Sequence, residues 1–169
     1  MNYARELFRK AGMTPEAAEQ KSHIWEGYEM VNVISWIVGA ILFLISGIHL
    51  YWMAGGRKGA LAAIPSAGSE PVFLPTKIAT GIVAGALALS GWFVLELGEA
   101  IERLLFPDWL LTYGGWTLAG VFLIRTVGDF RWVGFFKKRK GTLFAKWDTV
   151  LYSPLCLFLG LGLIYVMND

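Results

Sequence analysis

Cysteine is almost missing from this chain of 169 residues, which holds one thiol, Cys156. No intrachain disulfide can form, and there is no pair of cysteines or Cys/His cluster to build structural zinc. Histidine is nearly as scarce, and of His23 and His49 only the second falls in an apolar segment. Neither a metal site nor haem held between two membrane histidines is expected, and no cofactor is implied. Charged residues make up 17% of the chain with a net charge of +2, and the basic ones flank apolar segments instead of gathering on a groove-reading helix. Nucleic acid is therefore not an expected partner. GxSxG, a Walker loop and HExxH are all absent, so no motif names a reaction and the enzyme question stays open. There is no internal repeat or low-complexity tract. The first 25 residues lack a continuous apolar core, so no cleavable signal peptide is expected and the first span should act as an uncleaved anchor.

What the chain has in quantity is apolar surface: 56% hydrophobic residues, eight tryptophans and a mean hydropathy of +0.52. These values point to the bilayer as solvent. Residues 3–11 read as a short amphipathic helix with Tyr3, Leu7, Phe8 and Ala11 on one side, stopped by Gly12 and lying on the membrane surface. Thr14, Pro15 and Glu16 supply an N-cap, a first-turn proline and a helix-start carboxylate. Trp25 and Tyr28 suit the headgroup layer ahead of the first span.

Four spans follow, at about 31–52, 76–97, 109–130 and 149–167, after an N-terminal interfacial segment of 30 residues. The predicted fold is all-α, a four-helix transmembrane bundle with an N-terminal amphipathic extension. Twenty or so residues at 1.5 Å each cover the roughly 30 Å hydrocarbon core. The loop after the first span, rich in glycine and proline, reads as an irregular cap that dips toward the membrane. Gly81 and Gly85 form a GxxxG pattern for close helix approach, within the chain or to another copy. Asp148 and Thr149 are expected to cap the fourth span, with a kink at Pro154 that frees the carbonyl of Val150.

Lys and Arg number nine at the first and third loops, counting Lys77 at a boundary, against five on the opposite side. The positive-inside rule then places both long loops in the cytoplasm and both termini outside a cell membrane. Antiparallel packing brings four helix ends to that face, carrying His49 and Tyr51, Lys77, Arg125 with Asp129 and Arg131, and Asp148 with Tyr152. Arg125 and Asp129 are spaced to pair on one helix face, as Asp148 and Tyr152 are spaced to share one. Charges inside a span face the bundle interior, because exposure to lipid costs about 2.5–3.5 kcal/mol on insertion scales.

Two readings of that cluster stand side by side. In one, a cytoplasm-facing pocket binds an amphiphilic or anionic small molecule. Arg125 and Arg131 hold its head, Asp129 and Asp148 orient those cations, Tyr51 and Lys77 complete the lining, and His49 or Tyr152 supplies a proton if there is chemistry. In the other, Arg125 simply pairs with Asp129 or Asp148 to hold together a non-catalytic accessory or assembly subunit, as a homo-oligomer or beside another membrane protein. A small transporter is a weaker third reading, since four spans leave little room for two alternating states. Tyr51, Trp52, Trp132 and Trp147 read as interfacial anchors, the basic run 137–140 as a topology signal touching anionic lipid, and Cys156 as a packed thiol.

Three separated blocks resemble a known family. HLYWMAGG at 49–56, RTVGDFRWVGFFKK at 125–138 and GTLFAKWDTVLYSPLCLFLG at 141–160 are similar, in that order, to small bacterial integral membrane proteins of unknown function. The resemblance covers about 34–166 and implies a four-span membrane protein; it carries no reaction with it. The first 30 residues extend beyond the usual family start.

Overall fold

Long apolar runs punctuated by Thr and Pro at their starts dictate where the helices begin. In the computed structural model, which describes residues 3–67, 70–138 and 141–168, α1 covers Tyr3–Lys10 and α2 covers Pro15–Met53. Thr14 caps α2, its hydroxyl accepting from the Ala17 amide at 3.4 Å with Pro15 in the first turn, as the sequence suggested. Helix α2 runs without a break for 39 residues, about 58 Å at 1.5 Å per residue. That is nearly twice the hydrocarbon thickness. Its N-terminal half, carrying Glu16, Glu19, Lys21, Glu26 and Glu29, extends beyond the apolar segment. Helix α1 folds back on this half with Ala4 buried, Arg5 3.0 Å from Glu19, and Lys21 over the Phe8 ring. Tyr3 and Leu7 face outward.

The connection after α2 holds a single turn, α3 (Ala60–Ala63), and a two-residue antiparallel ladder pairing β1 (Ser66–Ala67) with β2 (Glu70–Pro71). Helix α4 (Lys77–Leu97) is capped by Thr76, and α5 (Asp108–Val127) begins after Pro107. The last span is composite: α6 (Leu143–Trp147), one π-turn at Asp148–Tyr152, then α7 (Ser153–Asn168). Four helical stretches, Pro15–Met53, Lys77–Leu97, Asp108–Val127 and Leu143–Asn168, are long and apolar enough to cross a membrane. The fold is an all-α four-helix transmembrane bundle with an N-terminal helical extension.

Helices α2 and α4 form one close pair and α5 and α7 the other. In the first, a side chain on Gly39 or Gly91 would crowd the other's carbonyl at 3.2 to 3.3 Å, and the Ser46 hydroxyl donates to the Ala84 carbonyl at 2.7 Å. In the second, Gly160 sits against Leu123 and Ala119, and Gly115 against Met167. Gly81 of the GxxxG pattern meets Met53 of the same chain, whereas a side chain added at Gly85 would meet nothing within 4 Å among the described residues. Val38, Leu42, Phe93, Val94, Leu111, Ala119, Leu159 and Leu163 form the shared core. Leu44, Ile78, Ile82, Tyr113 and Ile124 lie outside it, each more than two thirds exposed, the surface a bilayer would cover.

Two boundaries differ from the sequence reading. The third span stops at Gly128, whose φ of +86° ends α5 three residues after Arg125, instead of continuing to 130. The fourth begins six residues early, with Thr142 as its cap accepting from Ala145 at 3.1 Å. Asp148 is not a cap; it is fully buried inside a helical stretch. Pro154 does mark an irregularity. The Ser153 amide reaches back five residues to the Asp148 carbonyl, and Pro154, lacking an N–H, follows where the register returns to α.

Candidate functional site

Because α5 ends at Gly128, Asp129 leaves the helix face and cannot pair with Arg125. Its Oδ1 instead accepts from the amides of Arg131, Trp132 and Val133 at 2.9, 2.6 and 3.0 Å, tying the loop. Burial pushes the Asp129 carboxyl up, but the amides of Val133, Trp132 and Arg131 outweigh it and hold the pKa below its usual value. Arg131 is exposed, 5.9 Å from the Trp132 ring. Lys77 is exposed in the first turn of α4. None of these three predicted binding residues is among those that line the recess described below.

Arg125 finds Asp148. Its Nη2 donates to Oδ1 at 2.7 Å, across from α5 to the composite helix. On the other oxygen, Asp148 Oδ2 accepts from the Gly134 amide at 2.8 Å and from Lys137 Nζ at 2.9 Å. Lys137 also donates to the Gly134 carbonyl and to Thr149 Oγ1. The Lys137 side chain is 3% exposed and that of Asp148 is 0% exposed. The sequence reading of Lys137 as a lipid-touching topology signal is therefore corrected: it is a buried partner of the central carboxylate. Arg139 and Lys140 of the same run lie outside the described residues.

The loop's backbone makes this burial feasible. Gly128 and Gly134 both hold φ +86°, and each packs so closely on the 127 and 133 peptides that any side chain would collide. The chain doubles back, with the Phe135 amide donating to the Thr126 carbonyl at 3.0 Å. It thereby delivers the Gly134 amide and Lys137 to Asp148.

Beside this triad lies a recess of about 1120 Å³ walled by all four spans and α3. Ile45, Ile48, Leu87, Phe122, Leu155 and Leu159 make its apolar walls. His49, Tyr51, Arg125 and Tyr152 supply polar groups, while Asp148, fully buried on Arg125, does not line the recess. His49 Nδ1 is 2.8 Å from the Ile45 carbonyl. A carbonyl only accepts, so Nδ1 carries a proton there, and it is Nε2 that can give or take one. Over the top, Trp52 Nε1 donates to the Lys58 carbonyl at 2.9 Å and fastens the α3 connection.

The opposite end of the bundle carries a second buried carboxylate. Glu96 accepts from Trp92 Nε1 at 2.6 Å and from the amides of Leu105 and Phe106. Tyr28, Glu99, Arg103 and Asp108 form an exposed chain of bonds around it. All of this closes the turn between α4 and α5, away from the residues that line the recess beside Arg125. Among the described residues, no group of three His, Cys, Asp or Glu is placed to hold a metal ion.

No curated protein and no solved structure matches this chain. Residues 42–163 match the model of DUF3995, a family of proteins of unknown function, and because that stretch spans most of the chain, this protein belongs to the DUF3995 family.

Proposed function

We propose that this membrane protein binds an amphiphilic or anionic small molecule in the recess beside Arg125, at the face that the positive-inside rule puts in the cytoplasm. The observation that carries the reading is the convergence of all four spans and α3 on one volume with apolar walls and a guanidinium. Sites built between bundle helices from apolar walls and a few placed polar groups are a common ligand geometry. Tyr51 and His49 border the same volume, and His49 Nε2 or the Tyr152 hydroxyl is the group to exchange a proton if the occupant is transformed.

A second reading follows from the Arg125, Asp148 and Lys137 network itself, which joins the loop 128–138, α5 and the last span. On this reading the ion network is structural and the protein is an accessory subunit or homo-oligomer. Native mass spectrometry on protein extracted gently from its own membrane separates the two. A reproducible small adduct, lost on Arg125→Gln from a variant that still inserts and runs as one species, supports the recess. An adduct-free protein that co-purifies with another polypeptide supports the subunit reading.

A further inference from the structure

The charges around the recess do not balance. The triad sets two cations, Arg125 and Lys137, against one carboxylate, Asp148. Lys137 is saturated by three acceptors, and both Asp148 oxygens are in use. Arg125 is not saturated: Nη1 is buried with no hydrogen-bond partner among the described residues, while the side chain as a whole remains 32% exposed. Among the described residues the other charged one lining the recess is Lys58, again a cation, and none is a carboxylate. A net positive charge beside apolar walls is costly unless something of opposite sign joins it. A guanidinium with one nitrogen on a carboxylate keeps donors in the same plane for a second oxyanion.

Resting on the binding reading above, we infer that the occupant is an amphiphile whose head bears one negative charge on oxygen. Its oxyanion pairs with the Arg125 guanidinium at the edge of the recess, the covered Nη1 coming into the bond by a local side-chain shift, and its chain lies along Ile48, Leu87, Phe122 and Leu155. Asp148 holds Nη2, and Lys137 with the Gly134 amide holds Asp148, so one edge of the guanidinium stays anchored while the other takes the ligand. A neutral head offers only an uncharged acceptor, a weaker bond that leaves the positive charge unbalanced, and a cationic head adds to the two positive charges already lining the volume. A carboxylate on one chain and the phosphodiester of an anionic phospholipid share this chemistry.

The test uses the full-length protein in a non-ionic detergent, with hexadecanoate, methyl hexadecanoate and hexadecyltrimethylammonium as probes of one chain length and three charges. A parallel arm places the protein in nanodiscs containing phosphatidylglycerol or phosphatidylcholine and measures retained lipid. The expected result is retention of at least one anion over its neutral or zwitterionic counterpart by about 10- to 100-fold, the worth of one charge-assisted bond. The preference should vanish in Arg125→Gln. The arm that shows it names the source, a single-chain acid or a lipid headgroup. Ala63→Trp fills the recess from α3 without touching the triad and should abolish retention of every probe, which keeps the test decisive if Arg125→Gln fails to fold. Equal retention of ester and acid, and of both lipids, overturns the anion inference and leaves the recess standing. Failure of the wild-type protein to retain any probe, or retention unaffected by Ala63→Trp, overturns both.

Discussion

At the scale of single residues, two neighbouring lysines in one basic run have opposite environments. Lys137 is buried on Asp148, Gly134 and Thr149, while Lys138 is exposed. Losing one member of a buried ion pair costs about 3–5 kcal/mol, and because Asp148 keeps Arg125 and the Gly134 amide, Lys137→Met should fall toward the lower end. Lys138→Met should stay within about 0.5 kcal/mol, as for other surface changes. Thermal unfolding of the two purified variants in the same detergent checks this; equal midpoints would return Lys137 to the role of a plain topology signal. Composition and spacing could not separate these lysines. Burial of the first depends on a loop reversal that needs left-handed backbone at Gly128 and Gly134, and the only sequence sign of it was glycine at those two positions. The pairing of Arg125 was legible as a choice between Asp129 and Asp148, and Gly128 directly after the apolar run was the stop signal that decides it.

At the scale of elements, the four spans were readable because each is a run of about twenty apolar residues, a signal that no soluble helix needs. Thr14 was a visible cap; Thr76 and Thr142 are caps of the same kind that were not read as such, the second hidden because the acidic Asp148 looked like a better one. The π-turn was legible only as a kink at Pro154, since an extra residue inside a helix leaves no mark on hydropathy. Its effect on the site is specific. One added residue rotates everything before the turn by about 100° relative to a continuous α-helix, and this rotation points Asp148 at α5. Deleting the exposed Val150 should restore plain α register and turn the carboxylate away from Arg125. In a double-mutant cycle of Arg125→Gln and Asp148→Asn, the coupling should drop from about 1.5–3 kcal/mol, expected of a charge-assisted bond, to near zero in the deletion background. A coupling that survives the deletion would show that the turn does not set the pair.

At the scale of the whole molecule, the bundle is electrically lopsided along its length. The Tyr28 hydroxyl donates to Glu99 Oε2 at 2.7 Å, and Arg103 bridges Glu99 and Asp108. These contacts set the level at which α2 leaves the other three helices. Residues 15–28 of α2 therefore project about 20 Å past the bundle, with α1 folded along them, and there Glu16, Glu19 and Glu26 are offset by Lys21 and by the basic residues Arg5, Arg9 and Lys10 of α1. The other end presents Arg57, Lys58, Arg131, Lys138 and Lys146 on its exposed loops and helix ends. Short basic loops resist translocation more strongly than acidic segments favour it, so the basic end, and with it the recess, should face the cytoplasm while the charge-balanced projection lies outside. In a Cys156→Ser background, Lys138→Cys should react with a membrane-impermeant maleimide only after cells are lysed, and Glu102→Cys should react in intact cells. The reverse pattern would put the recess on the outer face, where the anion it draws would come from the medium or the outer leaflet; labelling of both positions in intact cells would mean that the chain inserts in two orientations, and that the difference in basic charge between its two ends does not decide between them.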